Sequence, residues 1–148
     1  MERTGLTEEL ERAEGLLLQD EGELAVRLLA RLAEDAEAYV DANCPTTEEL
    51  QWFAFPTLFD RLAYRRVEGD PRELRDVGEP LGRLYADLAL ACARTEDYDA
   101  AAAALKSAIR WNPMDCASRL NLADLSRMSG DLQEHLALSY SVFERASE

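Results

Sequence analysis

The chain has 148 residues, 47% hydrophobic and 31% charged, with 16 Lys and Arg against 30 Asp and Glu for a net charge of −14. That length suits a single compact domain spanning 1–148, and the apolar fraction is too high for a wholly disordered chain. The acidity excludes nucleic acid as a partner class, because phosphate binding needs a basic patch of a size this chain lacks.

No apolar run approaches the ~20 residues of a membrane helix. Residues 1–9 lack a basic head followed by an apolar stretch, so no secretory signal is expected there. Cys44, Cys92 and Cys116 are odd in number and far apart, which fits no CxxC metal clip and leaves a thiol over from any pairing. Reduced thiols, and hence a cytoplasmic location, are the simplest expectation. His135 is the only histidine, which excludes a zinc site built on several imidazoles; it is expected to be packed or at the surface, not a ligand. Residues 1–60 hold four Arg against fifteen acids, whereas residues 61–148 hold twelve Lys and Arg against fifteen acids. The acids of the first half interleave with apolar residues as a solvated helix surface does.

Taken in chain order, nearly every segment has the helical period. A short helix is expected from Thr7, with Leu10, Ala13 and Leu17 inward. A second follows, with Leu24, Leu28, Leu32, Ala36 and Tyr39 on one stripe. Asp20 and Glu23 form a plausible capping box at its start, and Pro45 stops it near Asn43. Thr46 and Glu49 predict a further helix through Val67, kinked or broken at Pro56. Asp70, Pro71 and Glu73 then combine a cap, a first-turn proline and an N3 carboxylate, the strongest helix start in the sequence. The stripe Leu74, Val77, Leu81, Leu84 and Leu88 continues in phase through Gly78 and Pro80. It predicts one kinked helix to Arg94, with a clean restart at Pro80 as the rival reading.

Tyr98, Ala101, Ala102, Leu105, Ala108 and Ile109 mark a helix with a small face suited to close packing. Asn112-Pro113 opens another, through Leu120, Ala123 and Met128 to Gly130. Asp131 and Glu134 cap a last one carrying Leu132, Leu136 and Phe143. No stretch alternates cleanly enough to predict a strand, so the expected class is all-α, with about seven or eight helices.

The helices after Pro80 fall into pairs joined at Thr95–Asp97, Asn112–Pro113 and Ser129–Asp131. At an offset of 34, residues 82–115 and 116–148 share Leu88/Leu122, Ala89/Ala123, Asp97/Asp131, Ala103/Ala137 and Ser107/Ser141. Tyr85, Leu88, Ala89, Cys92, Ala101, Leu105, Ala108 and Pro113, with the turn Glu96-Asp97-Tyr98, resemble the tetratricopeptide repeat (TPR) family. The second unit keeps Leu122, Ala123 and Gly130-Asp131, then departs at His135, Ser139 and Val142. The resemblance implies an α-α superhelix, a solenoid of antiparallel hairpins. On this reading 80–148 forms two repeats, and 131–146 is a C-terminal capping helix whose outer face meets water. Residues 1–79 are expected to supply neighbouring degenerate hairpins, and a longer chain could extend the array.

The same resemblance implies a concave face made by the first helix of each pair. Its candidate partner-binding residues are Arg83, Asp87, Leu90 and Arg94, then Asn121, Asp124 and Arg127, a mixture suited to an extended peptide or a partner helix. The family's carboxylate clamp is not expected, since Ala86 and Leu90 stand where it carries Lys and Asn, although Asn121 fits its second-repeat amide. Trp52, Phe53, Phe55 and Phe59 form the densest aromatic cluster. Four rings so close cannot share one helix face, so either flanking helices bury them on two sides, the favoured reading, or Trp52, Phe53 and Phe55 form an interface. Arg61, Arg65, Arg66, Arg72 and Arg75 concentrate the positive charge. Arg61 and Arg65 share a face that could grip an anion, but pairing with the acidic first half is expected.

No Gly-rich phosphate loop, GxSxG or HExxH is present, so no enzyme activity and no cofactor are expected. The leading expectation is a non-enzymatic adaptor that binds another protein or peptide, without membrane contact. The alternative is a homo-oligomerising or sensory helical domain, with a homodimer possible, that takes a small ligand between its two halves, an enclosed pocket near Trp52 and Arg61 being its mark. A third reading is an enzyme that uses the acidic first half to hold a divalent metal.

Overall fold

Leu6, Leu10, Ala13 and Leu17 recur every three or four residues, and in the computed structural model they are the buried stripe of helix α1 (Arg3–Leu18). The structure describes residues 3–146. Met1 and Glu2, and Ser147 and Glu148 at the end of the expected second repeat, lie outside it. Helix α2 (Gly22–Asn43) buries Ala25, Leu28, Leu29, Leu32, Ala33 and Ala36. Leu24, expected on that stripe, is exposed.

The predicted capping box at Asp20 does not form. Asp20 lies in the left-handed region (φ 60°) and closes α1, while Glu21 occupies the N-cap of α2 with no side-chain bond. The amide of Glu21 donates to Leu16 O at 2.8 Å and that of Asp20 to Leu17 O at 3.2 Å, a Schellman closure. An aspartate tolerates that conformation better than most side chains do.

Residues 44–80 depart from the expected helices. Leu50–Phe53 is a strand, β1; Leu58–Glu68 is helix α3; Glu73–Asp76 is a second strand, β2. The strands pair in parallel, from Leu50 opposite Glu73 to Phe53 opposite Asp76, with α3 in the crossover. A period of two accommodates the crowded aromatics: Gln51 and Phe53 point inward while Leu50 and Trp52 are half-buried. Thr57, not Thr46, caps α3 by accepting from Asp60 N at 3.1 Å.

The Asp70-Pro71 start is likewise a turn. Asp70 accepts from the backbone N–H of Arg72 two residues on, from the Arg72 guanidinium and from the Tyr64 hydroxyl. The strong cap signal was real local hydrogen bonding, spent on an Asx turn and not on a helix. Helix α4 (Leu81–Arg94) begins afresh after Pro80, so the rival reading at that position holds.

Helices α5 (Tyr98–Trp111) and α7 (Leu132–Ala146) follow the sequence expectation, whereas α6 (Cys116–Met128) begins later than the expected start at Asn112-Pro113, because the Asp115 side chain, accepting from Ser118 N, caps it. The protein is thus all-α in class, with seven helices and one short two-stranded sheet among the described residues. No helix in them is long and apolar enough to cross a membrane.

Helix α1 packs on α2, α2 on α4, α4 on α5, α5 on α6 and α6 on α7, while α1 also reaches α4. The largest buried cluster joins α1, α2 and α4 to Ala108 and Trp111 of α5. A second gathers Phe53, Tyr64, Leu74 and Met114; a third gathers Ala89, Ala104, Leu105 and Leu122. Ala101, Ala104 and Ala108 are all buried, so the small face of α5 carries its close packing.

One connection recurs in the three hairpins. At α4–α5, Asp97 N donates to Cys92 O at 2.9 Å and Glu96 has φ 63°; at α6–α7, Asp131 N donates to Ser126 O at 2.8 Å and Gly130 has φ 88°. The α1–α2 turn at Asp20 has the same pattern, although no sequence match announced it. The strand–helix–strand segment sits between the first and second hairpins and is tied to the end of α5. Ala54 N donates to Trp111 O at 2.8 Å, and Arg110 donates to Trp52 O at 3.0 Å. With its oxygen turned to Arg110, the Gln51 amide accepts from that guanidinium at 2.9 Å.

Helix α7 ends the described fold, and its outer face meets solvent. It has no fully buried residue, and its outward side carries Leu132, Leu136, Tyr140 and Phe143.

Candidate functional site: a trough between α4 and α6

The first helix of the second hairpin, α4, shows two partly exposed stripes. Gly82, Ala86, Ala89, Leu90 and Ala93 border two adjoining cavities of about 630 and 320 Å³. Both cavities touch Ala86 and Asp115, and together they form one trough. Its opposite wall is α6, through Ala117, Ser118, Asn121 and Leu125, and Ala101 and Leu105 of α5 lie beneath. The wider end is bordered by Phe55 and Pro56 and by the Gly78–Pro80 segment before α4.

The trough has room because α4 lines it mostly with alanines. Ala86, Ala89 and Ala93 follow one another by three and four, and none reaches far enough to fill the space. Polar groups along it are few and fixed. Asp115 caps α6, accepting from Ser118 N at 2.9 Å and Ser118 Oγ at 2.6 Å. Asn112 Oδ1 accepts from Met114 N at 3.1 Å. An apolar channel with sparse, pre-set polar groups is suited to holding a chain segment.

Of the expected concave-face residues, Leu90 and Asn121 lie in the trough, and Arg83 borders its wide end. The others are elsewhere. Arg83 donates to both carboxylate oxygens of Glu14 on α1, at 2.8 and 2.6 Å, and Arg94 donates to Leu17 O at 2.7 Å. Asp87 shares the Arg83 stripe and meets the same Glu14. Residues 83, 87 and 94 therefore turn toward the first hairpin, which occupies that side of α4. Asp124 and Arg127 are exposed on α6 and border neither cavity. Ala86 enters the sequence expectation only as a mismatch to the clamp, and Ala93, Ala117 and Leu125 stand outside it. The repetition of alanine at 86, 89 and 93 was the available signal.

Glu14, Arg83 and Asp87 form a cluster of two carboxyls and one guanidinium. Hydrogen bonding to Arg83 holds the Glu14 carboxyl down at about 2. Burial, then the neighbouring Glu14, pushes Asp87 up to about 8. Its Oδ2 is buried, and burial disfavours the charged form of the carboxyl.

The aromatic candidates are largely consumed inside the fold. Phe53 is buried and lies 4.9 Å from both Phe55 and Tyr64. Trp52 donates its indole N–H to Pro45 O at 3.0 Å. Phe59 alone of the four rings is well exposed. Arg61, Arg65, Arg72 and Arg75 find their partners in the 70–74 segment and not in the acidic first half as expected. Arg61 donates to Leu74 O at 2.6 Å and Arg65 to Asp70 O and Arg72 O, so their shared face holds the β2 loop in place of an anion. Arg72 pairs with Asp70 and Arg75 with Glu73, while Arg66 borders a separate surface hollow beside Phe59 and Arg145. Hydrogen bonds to Arg72 and Tyr64 keep the Asp70 carboxyl far below the usual range.

His135 rests against α6 with Nδ1 2.9 Å from Ala123 O. The three cysteines are free, Cys44 and Cys92 buried and Cys116 half-buried. Among the described residues, no three His, Cys, Asp or Glu side chains converge as metal ligands would. Against family models, curated proteins and solved structures, the chain has no match.

Proposed function

We propose that this chain is a non-enzymatic, TPR-like interaction module that takes an extended peptide or a helix of a partner protein into the trough between α4 and α6. The observation that carries this reading is the trough itself, walled by Ala86, Leu90 and Ala93 on one side and by Ala117, Asn121 and Leu125 on the other. Such a lining selects apolar side chains spaced along a segment, with Asn121 available to a backbone amide. Neither Trp52 nor Arg61, the pair expected to mark a ligand chamber, borders it.

The test is selection of binding peptides from a displayed random library on the purified chain, followed by titration against variants. Ala86→Phe and Ala93→Phe each fill the trough from a half-buried position and are expected to weaken the selected peptides at least tenfold, about 1.4 kcal/mol. Lys106→Ala, on the exposed face of α5, is expected to leave binding unchanged. Peptides that bind both filled variants as well as the parent, with far-ultraviolet circular dichroism unaltered, would refute the assignment.

A further inference from the structure

The last described helix exposes its apolar side to solvent. Leu132, Leu136, Tyr140 and Phe143 are 62, 54, 70 and 76% exposed, and they follow one another by four, four and three residues. Of the exposed residues on α7, only Glu144 is charged, although the chain as a whole carries −14. Among the described residues nothing covers this stripe. We propose that α7 is the interface of a homodimer, in which it packs antiparallel against α7 of a second copy.

Three observations select a second copy. The first is charge: two chains of −14 repel over most of their surface, and a side almost without charge is where they can meet. The second is self-complementarity. A two-fold interface must place residue i against j and j against i. With the axis passing near Leu138, Leu136 of each copy meets Tyr140 of the other, and Leu132 meets Phe143, so every ring lies against a leucine. The third is area. These four side chains present on the order of 500 to 600 Å² per copy. Doubled, that approaches the lower end of a stable interface, about 1,200 Å². None of the trough residues named above lies on α7, so the dimer leaves that site open and stands independently of the proposed function.

Sedimentation over a concentration series tests the assembly. The intact chain is expected to sediment as a dimer at micromolar concentration, and Leu136→Glu as the 16.6 kDa monomer with unchanged helicity. Tyr140→Lys supplies a second monomerising change should the first fold poorly. Orientation is read from cysteines introduced at exposed positions in a Cys116→Ser background. Ala137→Cys lies beside the axis and is expected to form an intermolecular disulfide, whereas Gln133→Cys, about 15 Å from its copy, is expected not to. A monomer at all concentrations, a dimer indifferent to both substitutions, or equal cross-linking at 133 and 137 would overturn the proposal.

Discussion

Asp87→Asn is expected to stabilise this protein at pH 8 and to do almost nothing at pH 5. In the folded chain, Glu14 and Asp87 face each other across α1 and α4 with one guanidinium, Arg83, between two carboxyls; Glu11 also contributes its charge nearby. Glu14 is held down at about 2 and Asp87 up at about 8, so the folded pair keeps one proton throughout the range between. The unfolded pair, with ordinary values of 4.5 and 3.8, has lost both protons above about pH 5. From there to pH 8 the folded state binds the extra proton, and stability must fall as pH rises, by up to ~1.4 kcal/mol per unit.

The full linkage would approach ~4 kcal/mol, but Glu14 and Arg83 are a third or more exposed and solvent screens them. About 1–2 kcal/mol is the expected remainder. Asn at 87 supplies a neutral N–H donor toward Glu14 at every pH and removes this cost. For a chain of this size that corresponds to roughly 2–8 °C in Tm at pH 8. Urea unfolding followed by circular dichroism at pH 5, 6, 7 and 8 measures it, and subtracting parent from variant cancels the other acids. A variant less stable by the same amount at every pH would refute a shared proton.

The same structure makes other expectations. Leu84, with none of its surface exposed at the α1–α2–α4 junction, is expected to cost about 2–5 kcal/mol when cut to Ala, read from the urea midpoint. Glu96→Gly relieves a left-handed conformation on an exposed side chain and is expected to raise stability by ~0.5–1 kcal/mol in the same assay. Asp70→Ala strips the partner from Tyr64 and Arg72; it is expected to cost about 2–3 kcal/mol and to speed hydrogen exchange at Glu73 N and Val77 N, which bond to β1 and its flank. Because the Asp70 carboxyl is lowered, its contribution is present above the unfolded value of 3.8 and lost as pH falls below it, so acid should erase the difference between parent and Asp70→Ala.

The helices from Leu81 onward were legible because their signals were local and mutually consistent. Asp97 and Asp131 cap the helices they precede, Gly130 ends the helix before it, and the apolar spacing agrees throughout. In the segment 44–80, two genuine cap patterns competed with pairing between residues more than twenty positions apart. Asp70 bonded to its own turn, Thr46 was passed over for Thr57, and the aromatic run found strand geometry in which its rings could separate to two faces.

The candidate site divided in the same manner. That α4 and α6 carry the candidate positions was readable from the repeat, and Leu90 and Asn121 border the trough. Which stripe of α4 is open was not readable, since the spacing of Arg83, Asp87, Leu90 and Arg94 fits one helical face equally well with or without a neighbour. Sequence alone determined composition, charge, helical period and the alanines that permit close approach, because each depends on residues within a turn or two of one another. Tertiary structure alone decided that Glu14 of α1 engages Arg83 and Asp87, that Trp52 and Phe53 are spent holding β1 in place, and that the outer side of α7 is apolar and open. Those outcomes depend on which distant surfaces meet, and a helical stripe specifies that it will be buried without specifying against what.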